Sequence, residues 1–194
     1  MDRRKFTVAA LAALVAVAAT PASAKLVYNP DTNLWEEREA SSGGRRFKKI
    51  EKEIVSYETK YKVGTIVVET GERRLYLVLP DGKAMRYGIG VGRDGFTWSG
   101  QHKITRKAEW PDWTPPAAMR KRVPDLPAHM PGGPKNPLGA RALYIGSTLY
   151  RIHGTSEPWT IGQAVSSGCI RLTNDDVIDL YERAKVGALV VVHH

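Results

Sequence analysis

The chain holds one cysteine, Cys169, and sixteen residues before it a histidine, His153, followed by glycine. The two ends are joined by "HGTSEPWTIGQAVSSGC", and "IRL" follows. A thiol of pKa near ~8.5 is only about 3% ionised at neutral pH, so a nucleophilic cysteine needs a base or a positive neighbour. An imidazole supplies both, taking the proton and then facing the sulfur anion as imidazolium. Ser166-Ser167-Gly168 allow a tight turn into Cys169, where the amides of Gly168 and Cys169 could form an oxyanion hole. Donors of that kind are worth about 3–4 kcal/mol each in acyl transfer. A plainer reading stands beside this one: a lone cysteine is also a small buried hydrophobe, and a histidine at a strand end is also a structural residue. His102, His129, His153, His193 and His194 are scattered, with no CxxC or HxxxH pair, so neither a zinc site nor a cofactor is expected.

The elements that must position this pair read mostly as strands. "VGTIVVET", "RLYLVL" and "AMRYGIGVG" are rich in Val, Ile, Leu and Tyr and are separated by Thr70-Gly71-Glu72 and Pro80-Asp81-Gly82, which predicts a β-meander. Gly88, Gly90 and Gly92, at period two, point to close backbone approach or a bend. "RALYIG" and "TLYRIHG" predict two strands joined around Gly146-Ser147, which puts His153 at a strand end. Asn174 is expected to cap a helix with Asp175 and Asp176 in its first turn and Val177, Leu180, Tyr181 and Ala184 on its apolar face, stopping near Gly187. "ALVVV" reads as a last strand. Residues 106–140 hold eight of the twelve prolines together with Trp110 and Trp113, which excludes a long helix or regular sheet there. Only Pro115 to Met119 suggests a brief helical turn, and the segment is expected to form an ordered wall or lid beside a cleft.

The first 24 residues, MDRRKFTVAALAALVAVAATPASA, have a basic start, a short apolar run and small residues up to Ala24, the pattern of a cleavable signal peptide. The apolar run is shorter than the about 20 residues a membrane span needs, so no span is expected after cleavage. Arg3-Arg4 before Lys5-Phe6 fits a twin-arginine export signal and equally an ordinary basic start. Cleavage at Lys25 leaves 170 residues with 26 basic and 19 acidic side chains, a net +7, enough for one domain with its own core. Such a charge favours an anionic partner. The basic residues form no stripe of the kind that grips nucleic acid, and bacterial cell wall, with its free stem-peptide carboxylates, suits an exported protein better. Residues 25–62 read as an N-terminal extension or linker with a short helix, on which Trp35 docks to the domain, and 63–194 as the catalytic domain.

His153-Gly154-Thr155 followed by Ser166-Ser167-Gly168-Cys169-Ile170-Arg171-Leu172 closely resembles the motif of the YkuD-type L,D-transpeptidases, the ErfK/YbiS group. The likeness runs from Val63 to Val192 and takes in "GVGRDGFTWSGQHKI", "EWPDWTPP" and "GGPKNPLGARALYIG", which look like the alpha-proteobacterial branch. The resemblance implies a mainly β, sandwich-like domain with the cysteine at the mouth of a cleft, a long Pro/Trp-rich loop and one or two short helices. It implies acyl transfer in the periplasm: a Cys169 thiolate attacks the third-residue carbonyl of a peptidoglycan tetrapeptide stem, releases D-alanine, and passes the acyl group on. His153 becomes the base and later the acid, the Gly154 carbonyl its orienting partner, and Gly168 with Cys169 the oxyanion donors. Two roles stand open for Arg171, a substrate-carboxylate clamp or a structural ion pair. Many members have histidine where this chain has Ser167, so His153 is left to act alone. The acceptor is open between a diaminopimelate amine, an outer-membrane protein or lipoprotein, and water, the last making a carboxypeptidase. A non-catalytic peptidoglycan-binding envelope protein is the rival from another class.

Overall fold

In the computed structural model, residues 24–29, 34–39, 49–122 and 125–194 are described. The expected signal peptide lies outside them apart from Ala24, and so does the side chain of Trp35. Ala24–Asn29 (β1) and Leu34–Glu39 (β2) pair as an antiparallel hairpin. No helix forms in the described parts of the extension. Instead Glu53–Ser56 (β3) joins the main sheet. Tyr57 and Tyr61 then pack on an outer cluster of Val67, Tyr76, Val78 and Ala84, with Tyr57 stacked on Tyr76 at 4.6 Å. Burial of these aromatic faces ties the end of the extension to the domain, where the sequence suggested a loose tether.

The meander forms as Ile66–Glu69 (β4), Arg74–Leu79 (β5) and Lys83–Gly88 (β6), all antiparallel. Val91–Gly92 (β7) continues from β6, and Gly100–Glu109 (β8) follows. The ten residues of β8 carry mostly charged and polar side chains and went unrecognised in the sequence. The strand pairs through its first half with the last strand, Leu189–His193 (β13), and through its second half with Arg141–Ile145 (β9). A bulge between Ile104 and Arg106 separates the halves and bends the strand. Arg151–His153 (β10), Ala164–Ser166 (β11) and Ile170–Arg171 (β12) complete the set. The nine-stranded order is β12-β10-β9-β8-β13-β4-β5-β6-β3, with β11 and β7 paired apart.

The sheet curls over its own core, and the β6–β7 segment bridges from the β5 side of it to the edge strand β12. The Ile89 N–H donates to the Arg73 carbonyl beside β5, and Gly90 exchanges two 2.9 Å hydrogen bonds with Arg171 of β12. A side chain at Gly90 or Gly92 would meet the Thr160 carbonyl at 3.0 Å or the Phe96 carbonyl at 2.4 Å. That is the close approach the glycine spacing suggested. Inside lie Ile66, Leu75, Tyr87, Ile104, Leu143, Ile152, Ile170 and Leu172, all essentially without solvent exposure. The helix Asn174–Arg183 (α2) adds Val177 and Leu180 to that core, with Ala184 just past its end. Its cap is Thr173, whose hydroxyl accepts the Asp176 N–H, and not Asn174 as the sequence suggested. Asn174 Oδ1 accepts instead from the Ala140 N–H at the head of β9, a tertiary bond that no local pattern announces. The mainly β expectation with two short helices holds, the other being Ala117–Arg122 (α1) directly after Pro115-Pro116.

Candidate active site

β10 and β12 lie side by side and parallel, with Ile152 opposite Ile170 and His153 opposite Arg171. Side chains alternate across a strand, so the two isoleucines enter the core and the residues flanking them along each strand face the other way. Arg151, His153, Cys169 and Arg171 all line one cleft of about 1170 Å³. Neighbouring strands run about 4.8 Å apart, so this register puts the histidine on the strand next to the cysteine, on the same face and within a residue or two along it. Cys169 is half-buried on the cleft wall, its Sγ 3.9 Å from the Leu149 carbonyl.

His153 Nδ1 contacts the Gly154 carbonyl at 2.5 Å. A carbonyl only accepts, so Nδ1 carries the proton and Nε2 of the neutral ring is unprotonated. A side chain at Gly154 would meet Asn174 Oδ1 at 2.3 Å and the Ala140 nitrogen at 3.1 Å, which is why glycine follows the histidine. Burial, then the Arg171 and Arg151 charges, pull the ring's pKa down to about 3, against the opposing pull of the Gly154 carbonyl. The ring is therefore neutral at rest and not the imidazolium of a standing ion pair.

The turn before the cysteine is tied by its own atoms. Ser166 Oγ donates to the Cys169 carbonyl at 2.6 Å and accepts the Gly168 N–H at 3.2 Å. Gly168 adopts a φ of +101°, a region that suits glycine. Its N–H, expected in the oxyanion hole, is thus engaged with Ser166, while the Cys169 N–H has no hydrogen-bond acceptor among the described residues. Ser167 lines the cleft beside the cysteine. Arg171 forms an ion pair with Glu157 at 3.4 Å, both side chains nearly buried, which holds the 154–168 loop against β12. Of its two possible roles, the ion pair is the one the geometry displays.

The Pro/Trp-rich segment forms the opposite wall, with Trp113, Pro115, Pro116, Met119 and Met130 facing the cleft. Proline offers no N–H, so its carbonyls need outside donors. Buried Asn136 supplies them: Nδ2 reaches the carbonyls of Pro111, Met130 and Pro131 at 3.0–3.2 Å, and Oδ1 accepts the Leu138 N–H. A two-way backbone pair between Trp113 and Met130, 2.8 Å each way, closes the loop. The cleft carries five cations, Arg93, Arg120, Lys135, Arg151 and Arg171, against the single carboxylate of Glu157. Sequence reasoning missed Glu157, Arg151 and Trp98, and saw Ser166 only as a turn residue; their contacts depend on tertiary packing. Among the described residues no group of three His, Cys, Asp or Glu could hold a metal.

Residues 63–192 match the YkuD family, an L,D-transpeptidase catalytic domain. The probable L,D-transpeptidase ErfK/SrfK of Escherichia coli (strain K12) is 44% identical over 134 residues, which cover 66% of this chain and 43% of that protein. This chain thus spans less than half the length of that relative. A Brucella melitensis structure described as a probable carnitine operon oxidoreductase is 45% identical over 75% of this chain and 94% of its own, with a TM-score of 0.51. An L,D-transpeptidase from Mycobacterium smegmatis shares the fold at a TM-score of 0.53 and 18% identity, covering 67% of this chain and 58% of that one. Gly90-Val91-Gly92-Arg93-Asp94-Gly95 has the spacing of a dinucleotide-binding loop, but the next element is strand β8 where such a loop opens a helix. The segment that matches contains every residue lining the cleft, and the chain belongs to the YkuD family of L,D-transpeptidase catalytic domains.

Proposed function

We propose that the protein is a peptidoglycan L,D-transpeptidase of the periplasm, with Cys169 as nucleophile and His153 as base. The observation that carries this reading is the β10–β12 register, which puts both side chains on one wall of a basic cleft. His153 Nε2 takes the thiol proton as sulfur adds to the third-residue carbonyl of a tetrapeptide stem. The carbonyl electrons move onto oxygen, where the Cys169 N–H stabilises them. Collapse breaks the amide C–N bond, and D-alanine leaves with the proton His153 held. The thioester then meets an acceptor amine, whose surplus proton passes through His153 to the departing sulfur. Because Gly168 N–H is tied to Ser166, the role of Gly168 here is to allow the turn. The stem's carboxylates suit the five cations of the cleft. Their approach would offset the arginine charges that depress His153, strengthening the base when substrate is present.

A diaminopimelate amine as acceptor gives a 3→3 cross-link, an envelope protein gives anchoring, and water gives carboxypeptidase activity. Incubating the protein lacking residues 1–24 with purified tetrapeptide muropeptides, and weighing the products, separates these. Cross-linked dimers or D-amino-acid-exchanged stems support transpeptidation, tripeptides alone convert the reading to hydrolysis, and unchanged stems without a Cys169 acyl adduct leave only a binding protein. Export to the periplasm rests on the N-terminal sequence pattern; among the described residues no helix is long and apolar enough to cross a membrane.

A further inference from the structure

An oxyanion donor is only as well aimed as the peptide plane that carries it. In a trans peptide the carbonyl and the following N–H point in opposite directions, so whatever fixes the Gly168 carbonyl also directs the Cys169 N–H. One side chain does this. Trp98 Nε1 donates to the Gly168 carbonyl at 2.8 Å. An indole is a donor without an acceptor, so it holds the carbonyl without competing for the amide proton. The indole is itself braced: it stacks on Tyr150 at 4.6 Å with an interplanar angle of 3°, and it meets the His102 ring edge-on at 5.8 Å. Tyr150 fills the space beside Gly168, where a Cβ would lie 2.4 Å from its Cε1.

Together with Ser166, which binds the Gly168 N–H and the Cys169 carbonyl, these contacts fasten the turn on each side of the Cys169 amide, whose N–H has no hydrogen-bond acceptor among the described residues. Glycine's own backbone would otherwise rotate freely. We propose that Trp98 is a positioning residue for acyl transfer, its indole N–H pinning the Gly168–Cys169 peptide so that the Cys169 N–H faces the tetrahedral oxyanion. This rests on Cys169 being the nucleophile.

The test uses two probes that consume the same thiolate. With a carbapenem, sulfur adds to the lactam carbonyl, charge gathers on oxygen, and the ring C–N bond breaks as nitrogen takes the proton from His153. With iodoacetamide, sulfur displaces iodide at a saturated carbon and no oxyanion forms. Trp98→Phe keeps a ring on Tyr150 and removes the N–H; benzothienylalanine at position 98 keeps the bicyclic shape and removes it too, covering the case in which Phe folds poorly. Outright loss of an oxyanion donor costs about 10²–10³ in rate, so misaiming one is expected to slow carbapenem acylation at Cys169 at least about tenfold, with alkylation within about twofold of wild type. Equal slowing of both reactions would mean a merely structural tryptophan and overturn the proposal, as would unchanged acylation in a folded variant. A wild-type protein that iodoacetamide labels at Cys169 but the carbapenem does not would overturn the nucleophile assignment, and the proposal with it.

Discussion

The two faces of β10 and β12 share a backbone and do opposite work. On the inner face Ile152 and Ile170 are sealed in the core; on the outer face Arg151, His153, Cys169 and Arg171 line a basic cleft. The inner face offers the hydrophobic burial that sets the strand spacing, and the outer face inherits that spacing as catalytic geometry. Ionisable and nucleophilic groups then sit at the wall of the cleft without loosening the sheet, because alternation keeps them out of its interior.

The sharpest way to break this division is Cys169→Ala, expected to lower transpeptidation by more than about 10³-fold while the denaturant midpoint stays where it is. An equal fall in stability would show that the sulfur belongs to the core after all. On the inner face Ile152→Ala should cost about 2–5 kcal/mol in equilibrium unfolding, and the fraction that remains folded should still take a carbapenem at Cys169.

His153 links the two faces through pH. Its folded pKa lies below the ordinary 6.5, so the unfolded chain binds the proton first. Its contribution to stability is full above about 6.5 and declines as pH falls from there towards 3. His153→Gln should flatten that part of a stability–pH curve relative to wild type; parallel curves would contradict a buried neutral ring. The smallest effect is expected from Arg171→Gln. Removing the positive neighbour raises the His153 pKa, so the acid limb of the acylation–pH profile should move to higher pH. A limb that stays put would show that Arg171 adds nothing to the depression that burial and Arg151 impose.

Much of this was legible in the residues themselves. The meander after Val63, the apolar face of α2 and the closing strand follow from β-branched runs and helical spacing, and burial in one core enforces them. The cysteine and histidine announced themselves by chemistry, and the glycines at 90 and 92 by spacing. β8 did not, because its side chains are largely charged and its place depends on pairing with β13 on one side and β9 on the other. Thr173 caps α2, while Asn174, its first residue, accepts from Ala140, 34 residues away in sequence. Asn136 looked like a loop residue, yet its Nδ2 gathers the carbonyls of Pro111, Met130 and Pro131.

By itself the sequence determined which groups could react and which segments had to be strands, since both follow from side-chain chemistry and local periodicity. Only the tertiary structure decided that Arg171 answers Glu157, that His153 is buried into neutrality, that Gly168's N–H is claimed by Ser166 and that Trp98 holds its carbonyl. Those outcomes depend on strand register and on distances between residues far apart in the chain, and no local interaction specifies either.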